Sequence, residues 1–288
     1  MSGIFWLASY PKSGNTWMRL ALQSLERGGA PVRFDADKDA WWERRRGGRV
    51  GGIVSSRAFF EDFLAVESSD LMADEIEILR PAAIVAWAEG ENAPIVKTHD
   101  AYLSSQGTPL FPKDETRGAV VIVRDPRDVA ISFADHSGLT VDAAIRKMAD
   151  PHGTLAKGGT HLSNQFAQRL PTWSGHVASW LDAPMPKIVV HYEDMITDMA
   201  STLAEAAAFV GIDAPADAVA RAVAATRFDR LQAEEKRVGF QERAPNCKRF
   251  FRRGVAGGWR DTLTPEQAAR IERDQGAMMR RLGYEVST

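Results

Sequence analysis

A single α/β domain, with a mostly parallel sheet flanked by helices, is what the order of apolar segments in this chain predicts. Short apolar runs alternate with stretches of helical period, the pattern of strands buried between two helical layers. The runs are Ile4 to Ser9, Pro94 to Thr98, Ala119 to Arg124 and Lys187 to His191. The 288 residues are 44% hydrophobic and 26% charged, which suits one substantial core and excludes a disordered or fibrous chain. No internal repeat or linker marks a boundary.

The first run is read as a strand because Met18, Ala21, Leu22 and Leu25 follow it at i, i+3, i+4 and i+7, a stripe that packs a helix back onto it. A helix is expected near 70–87, and the second strand then ends in Lys97-Thr98-His99. After the third strand, Asp125-Pro126 reads as an N-cap followed by Pro at the first helical position, so Arg124 stands beside a helix N-terminus. Further helices are expected near 140–149, 165–181 and 198–224. Thr264-Pro265-Glu266-Gln267 is a capping box, and Ala268, Ile271, Met278 and Leu282 give its helix one apolar face. Glu43 to Gly52, Asp150 to Gly159 and Gly254 to Gly258 are glycine-rich and read as loops or lids.

Charge and cysteine content narrow the partners. With 36 Lys+Arg against 38 Asp+Glu, the net charge of -2 removes the usual electrostatic reason to expect nucleic acid or an anionic membrane. Cys247 is the sole cysteine, so no internal disulfide, thiolate zinc cluster or redox pair is available, and a reducing compartment fits. No apolar run approaches the ~20 residues of a membrane span, and the short N-terminal run lacks a cationic leader; a cytoplasmic protein is expected. Against this background Lys236 to Arg260 holds eight basic residues and one acidic residue, Glu242. Such segregation calls for an anion.

The turn Ser9-Tyr10-Pro11-Lys12-Ser13-Gly14-Asn15-Thr16-Trp17 joins the first strand to the first helix, where exposed N–H groups and the helix dipole favour an anion. Lys12 adds a full charge, Gly14 permits close backbone approach, and Ser13, Asn15 and Thr16 supply donors. The other reading is an ordinary turn with Asn15 as helix cap. The loop is not a Walker A motif, because the dipeptide Gly-Lys occurs nowhere in the chain. Ligand sites of open α/β sheets lie outside the carboxyl ends of the strands, which puts Lys12, His99 and Arg124 on one edge.

Tyr10 to Trp17 resembles the 5′-phosphosulfate loop of sulfotransferases that use 3′-phosphoadenosine 5′-phosphosulfate (PAPS). The opening Ile4-x-Trp6-x-Ala8-Ser9-Tyr10-Pro11-Lys12 is similar to the bacterial members that sulfate glycopeptide antibiotics. The resemblance implies a P-loop NTPase-like sulfotransferase domain over residues 1–288, with its phosphosulfate loop at 9–17 and 3′-phosphate elements at 124–132 and 252–260. It implies that Lys12, Ser13, Gly14, Asn15 and Thr16 hold the phosphosulfate while Trp17 packs against adenine. Arg124 and Ser132, eight positions apart, resemble the pair that grips the 3′-phosphate, and Arg suits phosphate with its planar fork. Arg252-Arg253-Gly254-x-x-Gly257-x-Trp259-Arg260 is similar to the family's Arg-Lys-Gly-x-x-Gly-Asp-Trp-Lys, with Gly258 where Asp is usual, which leaves the loop's anchoring open. Tyr192-Glu193-Asp194-Met195 and the pair Thr226 and Phe228 match weaker nucleotide elements, and Phe228 with Trp17 makes a purine slot.

The implied reaction is in-line transfer of a sulfuryl group to the hydroxyl of a small-molecule phenol or alcohol, leaving PAP. The resemblance assigns His99 as general base and counts Lys12, Lys97 and Ser132 in the catalytic set, with no metal. A phosphotransferase using ATP and magnesium, or a non-catalytic nucleotide binder, remain the competing readings. Trp41, Trp42, Phe59 and Phe60 lie where the family builds its acceptor pocket, and are equally read as core aromatics. Arg44, Arg45, Arg46 and Arg49 either attract an acidic acceptor or face water. The family's C-terminal dimer signature is only partly mirrored by Arg260 and Thr264, so a homodimer is left open.

Overall fold

The computed structural model describes residues 3–35, 49–51, 54–88, 94–156, 163–243 and 247–287. Its strands are β1 (Ile4–Ser9), β2 (Ile95–Thr98), β3 (Thr116–Val123), the short β4 (Thr154–Leu155) and β5 (Gln168–Arg169), and β6 (Lys187–His191). Four of them form a parallel sheet in the order β2-β1-β3-β6, while β4 and β5 make a small antiparallel ribbon. All four runs expected as strands are strands of this sheet.

The two faces of β1 show why such a run is apolar throughout. Successive side chains of a strand point to opposite faces, so Ile4, Trp6 and Ala8 enter one core layer and Phe5 and Leu7 the other. The second layer is covered by α1 (Asn15–Glu26), whose Met18, Ala21, Leu22 and Leu25 are the stripe read from the sequence. The first layer is covered by α2 (Arg57–Leu64), α3 (Ala73–Ala88), α4 (Pro126–Ser137), α5 (Val141–Met148) and α6 (Trp173–Leu181). The chain continues with α7 (Tyr192–Thr197), α8 (Met199–Val210), α9 (Ala216–Ala225), α10 (Phe228–Val238) and α11 (Pro265–Arg281). Of these, α8 and α9 join α1, and α11 joins the opposite layer.

The expected caps are present. Asp125 accepts the Arg127 N–H at 2.9 Å with Pro126 at the first turn of α4, and Thr264 and Gln267 close a capping box on α11. Two expectations are corrected, and one reading left open is decided. The helix expected over 165–181 is only Trp173–Leu181, because the Thr172 hydroxyl caps it by accepting Gly175 N–H at 2.9 Å and the residues before it are spent on β5. The helix expected over 198–224 breaks at Gly211, which takes the left-handed φ of 69°, and resumes after Pro215 as α9. Phe59 and Phe60 are core residues of α2, 7% and 0% exposed, packed on Trp87 and Phe166 respectively, and neither reaches the cavity described below. Trp41, Trp42, Arg44, Arg45 and Arg46 lie outside the described residues. Arg49 donates to the carbonyls of Gly211 at 2.7 Å and Val210 at 2.6 Å, at the end of α8. Among the described residues no helix is long and apolar enough to cross a membrane.

The sheet order decides where a ligand fits. The chain leaves the end of β1 for one face, whereas β3 lies beside β1 and feeds α4 on the other, so the loops after Ser9 and Val123 part and open a crevice.

Candidate functional site

A cavity of about 640 Å³ occupies this crevice. Each strand of the main sheet delivers a residue to it from its carboxyl end or the loop beyond: Lys12 after β1, Lys97 and His99 at β2, Arg124 after β3 and Tyr192 after β6. Gly14, Asn15, Thr16, Trp17, Ser132, Phe228, Arg252, Arg253 and Gly254 also line it. Residues separated by up to 242 positions are thus brought to one wall.

The loop after β1 is shaped by two left-handed residues, Lys12 at φ 69° and Gly14 at φ 104°. Gly14 has no substitute here, since a Cβ on it would stand 2.7 Å from the Tyr192 ring. Gly14, not Asn15, is the N-cap of α1. Asn15 instead ties the loop down, donating from Nδ2 to the Leu7 carbonyl at 2.8 Å and to Ser9 Oγ at 3.1 Å. Ser13 and Thr226 do not line the cavity. Ser13 is fully buried under the loop. Thr226 donates its hydroxyl to the Ala222 carbonyl at 2.8 Å, and its own carbonyl accepts from Trp17 Nε1 at 2.9 Å, so it holds Trp17 in place.

Lys12 Nζ lies 4.0 Å from the centre of the Phe250 ring, a cation–π contact. Burial pushes its amine down to about 8; Cys247 and Glu242 pull it back up, and Lys97 and Arg124 push it further down. His99 donates Nδ1–H to the Ser9 carbonyl at 2.8 Å, which leaves Nε2 as the basic ring nitrogen. Burial lowers its imidazole to about 3, with repulsion from Lys97 acting the same way and the Ser9 bond acting against it. The ring is therefore neutral and of one tautomer. Its backbone is held as well, for His176 Nε2 donates to the His99 carbonyl at 3.1 Å.

Arg124 is the tie between the loops. It donates to the Lys12 carbonyl at 3.1 Å and the Val255 carbonyl at 2.9 Å, and its guanidinium lies 4.1 Å from the Tyr192 ring centre. Arg252 Nε lies 3.6 Å from Asp135. The anchoring question raised by Gly258 is answered by Asp128, whose carboxylate accepts Gly257 N–H at 2.6 Å and Trp259 N–H at 2.9 Å. Arg127 then stacks 3.9 Å from the Trp259 ring centre and pairs with Asp125 and Glu272. Sequence reasoning gave Asp128 and Arg127 no task in the site, although Arg124-Asp125-Pro126-Arg127-Asp128 at a strand-to-helix turn was the available signal. It also missed Phe250, His136 and Ser55 in the lining, for which spacing carries no signal.

The family model of the sulfotransferase domain matches residues 3–283. The chain is 24% identical over 292 residues to Sulfotransferase 1A1 of the dog, Canis lupus familiaris, across 98% of this chain and 85% of that protein. It is 23% identical to Cytosolic sulfotransferase 17 of Arabidopsis thaliana across 93% and 72%. Among solved structures, a mouse sulfotransferase complexed with PAP aligns at a TM-score of 0.59 and 21% identity over 96% of this chain and 85% of that one. Retinol dehydratase in complex with androsterone and PAP aligns at 0.59 and 21% over 96% and 80%. A match running from residue 3 to residue 283 makes this chain a member of the sulfotransferase domain family.

Proposed function

We propose that the chain transfers a sulfuryl group from PAPS to a hydroxyl of a small-molecule phenol or alcohol, with His99 as general base. The observation that carries it is the neutral His99 imidazole, its Nδ1–H on the Ser9 carbonyl, in one cavity with Lys12, Lys97 and Arg124. PAP is bound in the mouse sulfotransferase and in retinol dehydratase, and the latter also holds a steroid, which supports both the donor and a small-molecule acceptor.

The residues present fit such a donor. The loop 9–17 offers Lys12, Gly14 and Thr16 to its phosphosulfate, with Asn15 tying the turn down beneath. Arg124, Ser132, Arg252, Arg253 and Gly254 are given to its 3′-phosphate, and Trp17, held by Thr226 and Tyr192, and Phe228 offer aromatic faces to the purine. Bound PAPS supplies the activated sulfuryl group. His99 takes the acceptor's hydroxyl proton at Nε2 while the new S–O bond replaces the one to the nucleotide. Lys12 and Lys97 offset the negative charge that grows as this happens, the electrostatic contribution that is usually largest. No step runs through a metal. A transfer screen from PAPS to phenols and alcohols, read by mass spectrometry, tests the activity; a folded, PAP-binding chain that sulfates none of them overturns it.

Two further results are expected. Calorimetry should show PAP binding about ten- to a hundredfold more tightly than adenosine 5′-phosphate, the worth of one charge-assisted contact set. Arg124→Ala should collapse that ratio, and equal affinities in the unaltered chain would reject the 3′-phosphate site. Lys12 grips an anion only as ammonium, and its amine titrates at about 8. PAP affinity should therefore fall as pH rises through about 8, and binding above it should take up a proton, seen as buffer-dependent heats. An affinity flat from about pH 7 to 9 removes Lys12 from the anion site.

A further inference from the structure

Glu242 is the one acidic residue between Lys236 and Arg260, and the proposed chemistry gives it no task. Its carboxylate nevertheless lies in the cavity lining with Lys12 and His99. Oε2 accepts from Thr16 Oγ1 at 3.0 Å and from Lys97 Nζ, and Oε1 accepts from Arg19. Lys97 Nζ also stands 3.4 Å from Thr16 Oγ1, so one carboxylate closes a cluster of two cations and a hydroxyl. Burial pushes the Glu242 carboxyl up, yet Lys97 and Arg19 hold it well below the ordinary carboxylate range, so it is ionised.

Aromatic packing beside it holds its segment in place. Phe240, two residues earlier, packs on Phe34 at 4.6 Å and on Phe250 at 4.8 Å between ring centres. Phe250 in turn is the ring under Lys12 Nζ. One cationic segment of the chain thus covers both lysines of the site, with an aromatic face on Lys12 and an anion on Lys97. A surface ion pair needs only Arg19; engaging Lys97 and the Thr16 hydroxyl as well is the donor set of an anion seat.

We propose that Glu242 is a built-in competitor of the donor: its carboxylate occupies the partners that the phosphosulfate end of PAPS uses, and nucleotide binding displaces it. The inference rests on the function proposed above, which gives Thr16 and Lys97 to that end of PAPS. The Thr16 hydroxyl has one proton to donate, and two anions crowded on Lys97 repel one another, so carboxylate and nucleotide exclude each other. After transfer, the return of Glu242 to Lys97 and Thr16 opposes retention of PAP. The residue therefore sets donor affinity and product release rather than the chemical step.

The test is calorimetry of PAP with the full chain, Glu242→Gln, Glu242→Asp, and Glu205→Gln as a control for losing one exposed charge on α8, each checked for an unchanged fold by thermal melting. Glu242→Gln should bind PAP about ten- to a hundredfold more tightly, the range for one charge-assisted contact set. Glu242→Asp, one methylene too short to span all three partners, should fall between, and Glu205→Gln should match the unaltered chain. Equal affinity in Glu242→Gln overturns the competition and leaves the nucleotide site standing. Weaker affinity also overturns it, because Glu242 would then be holding Lys97 ready for the donor. A folded set in which no member binds PAP overturns the proposed function together with this inference.

Discussion

His99→Ala is expected to lower kcat by about 10²- to 10⁴-fold, the usual worth of a positioned general base, while the Kd for PAP stays nearly unchanged. The split follows from what the imidazole touches. Its Nδ1–H is spent on the Ser9 carbonyl, and its Nε2 is the nitrogen left for the acceptor's proton, so its loss removes a base and no donor to phosphate. Lys12→Ala provides the contrast, since an ammonium beside the phosphosulfate acts on both the bound donor and the charge that develops during transfer; kcat and PAP affinity should fall together. Steady-state kinetics with PAPS and titration with PAP separate the two patterns. A His99→Ala protein that keeps most of its turnover removes the assigned base.

Arg80→Ala is expected to cost about 3–5 kcal/mol of stability, the range found when one partner of a buried ion pair is removed. Asp100 is 0% exposed and receives two bonds from Arg80, at 3.2 and 2.6 Å. Its carboxylate also accepts the Arg169 N–H at 2.9 Å, and its carbonyl accepts from Trp180 Nε1 at 2.9 Å. Without Arg80 a buried carboxylate keeps a single backbone donor, and the residue next to His99 loses its main anchor. Urea unfolding measures the loss, and a double variant Arg80→Met with Asp100→Leu should recover part of it, because an apolar pair removes the buried charge while the Arg169 N–H loses its acceptor. A loss below about 1 kcal/mol, typical of exposed pairs, would show that Asp100 is hydrated rather than sealed.

The four strands were legible because a strand buried on both faces must be apolar along its whole length, and Ile4 to Ser9 has no other plausible fate. The caps at Asp125 and Thr264 were legible because capping is a local bargain between a side chain and N–H groups two or three residues away. What misled, and what stayed open, was equally physical. Residues 165–172 carry helical spacing, but Pro171 and the pairing of Gln168 and Arg169 with Thr154 and Leu155 take them out of a helix. Phe59 and Phe60 carry aromatic mass that suits a pocket or a core, and only α2's packing on Trp87 and Phe166 chose the core. Thr226 has the right residue type for a ligand contact, yet its hydroxyl turns to its own helix.

The sequence alone determined the sheet's membership, the strand-to-helix turn after β1, and the order of Lys12, His99, Arg124 and Arg252 along the chain. Those properties reside in local composition and spacing, which folding does not rearrange. The tertiary structure decided which tautomer His99 presents, which residue anchors the Gly257–Trp259 turn, and that Glu242 rather than a neutral side chain lies on Lys97 and Thr16. Each of these joins groups about 90 to 226 positions apart through hydrogen bonds and charge contacts that act over only a few ångströms. Only the folded packing of the sheet edge brings such partners within that reach.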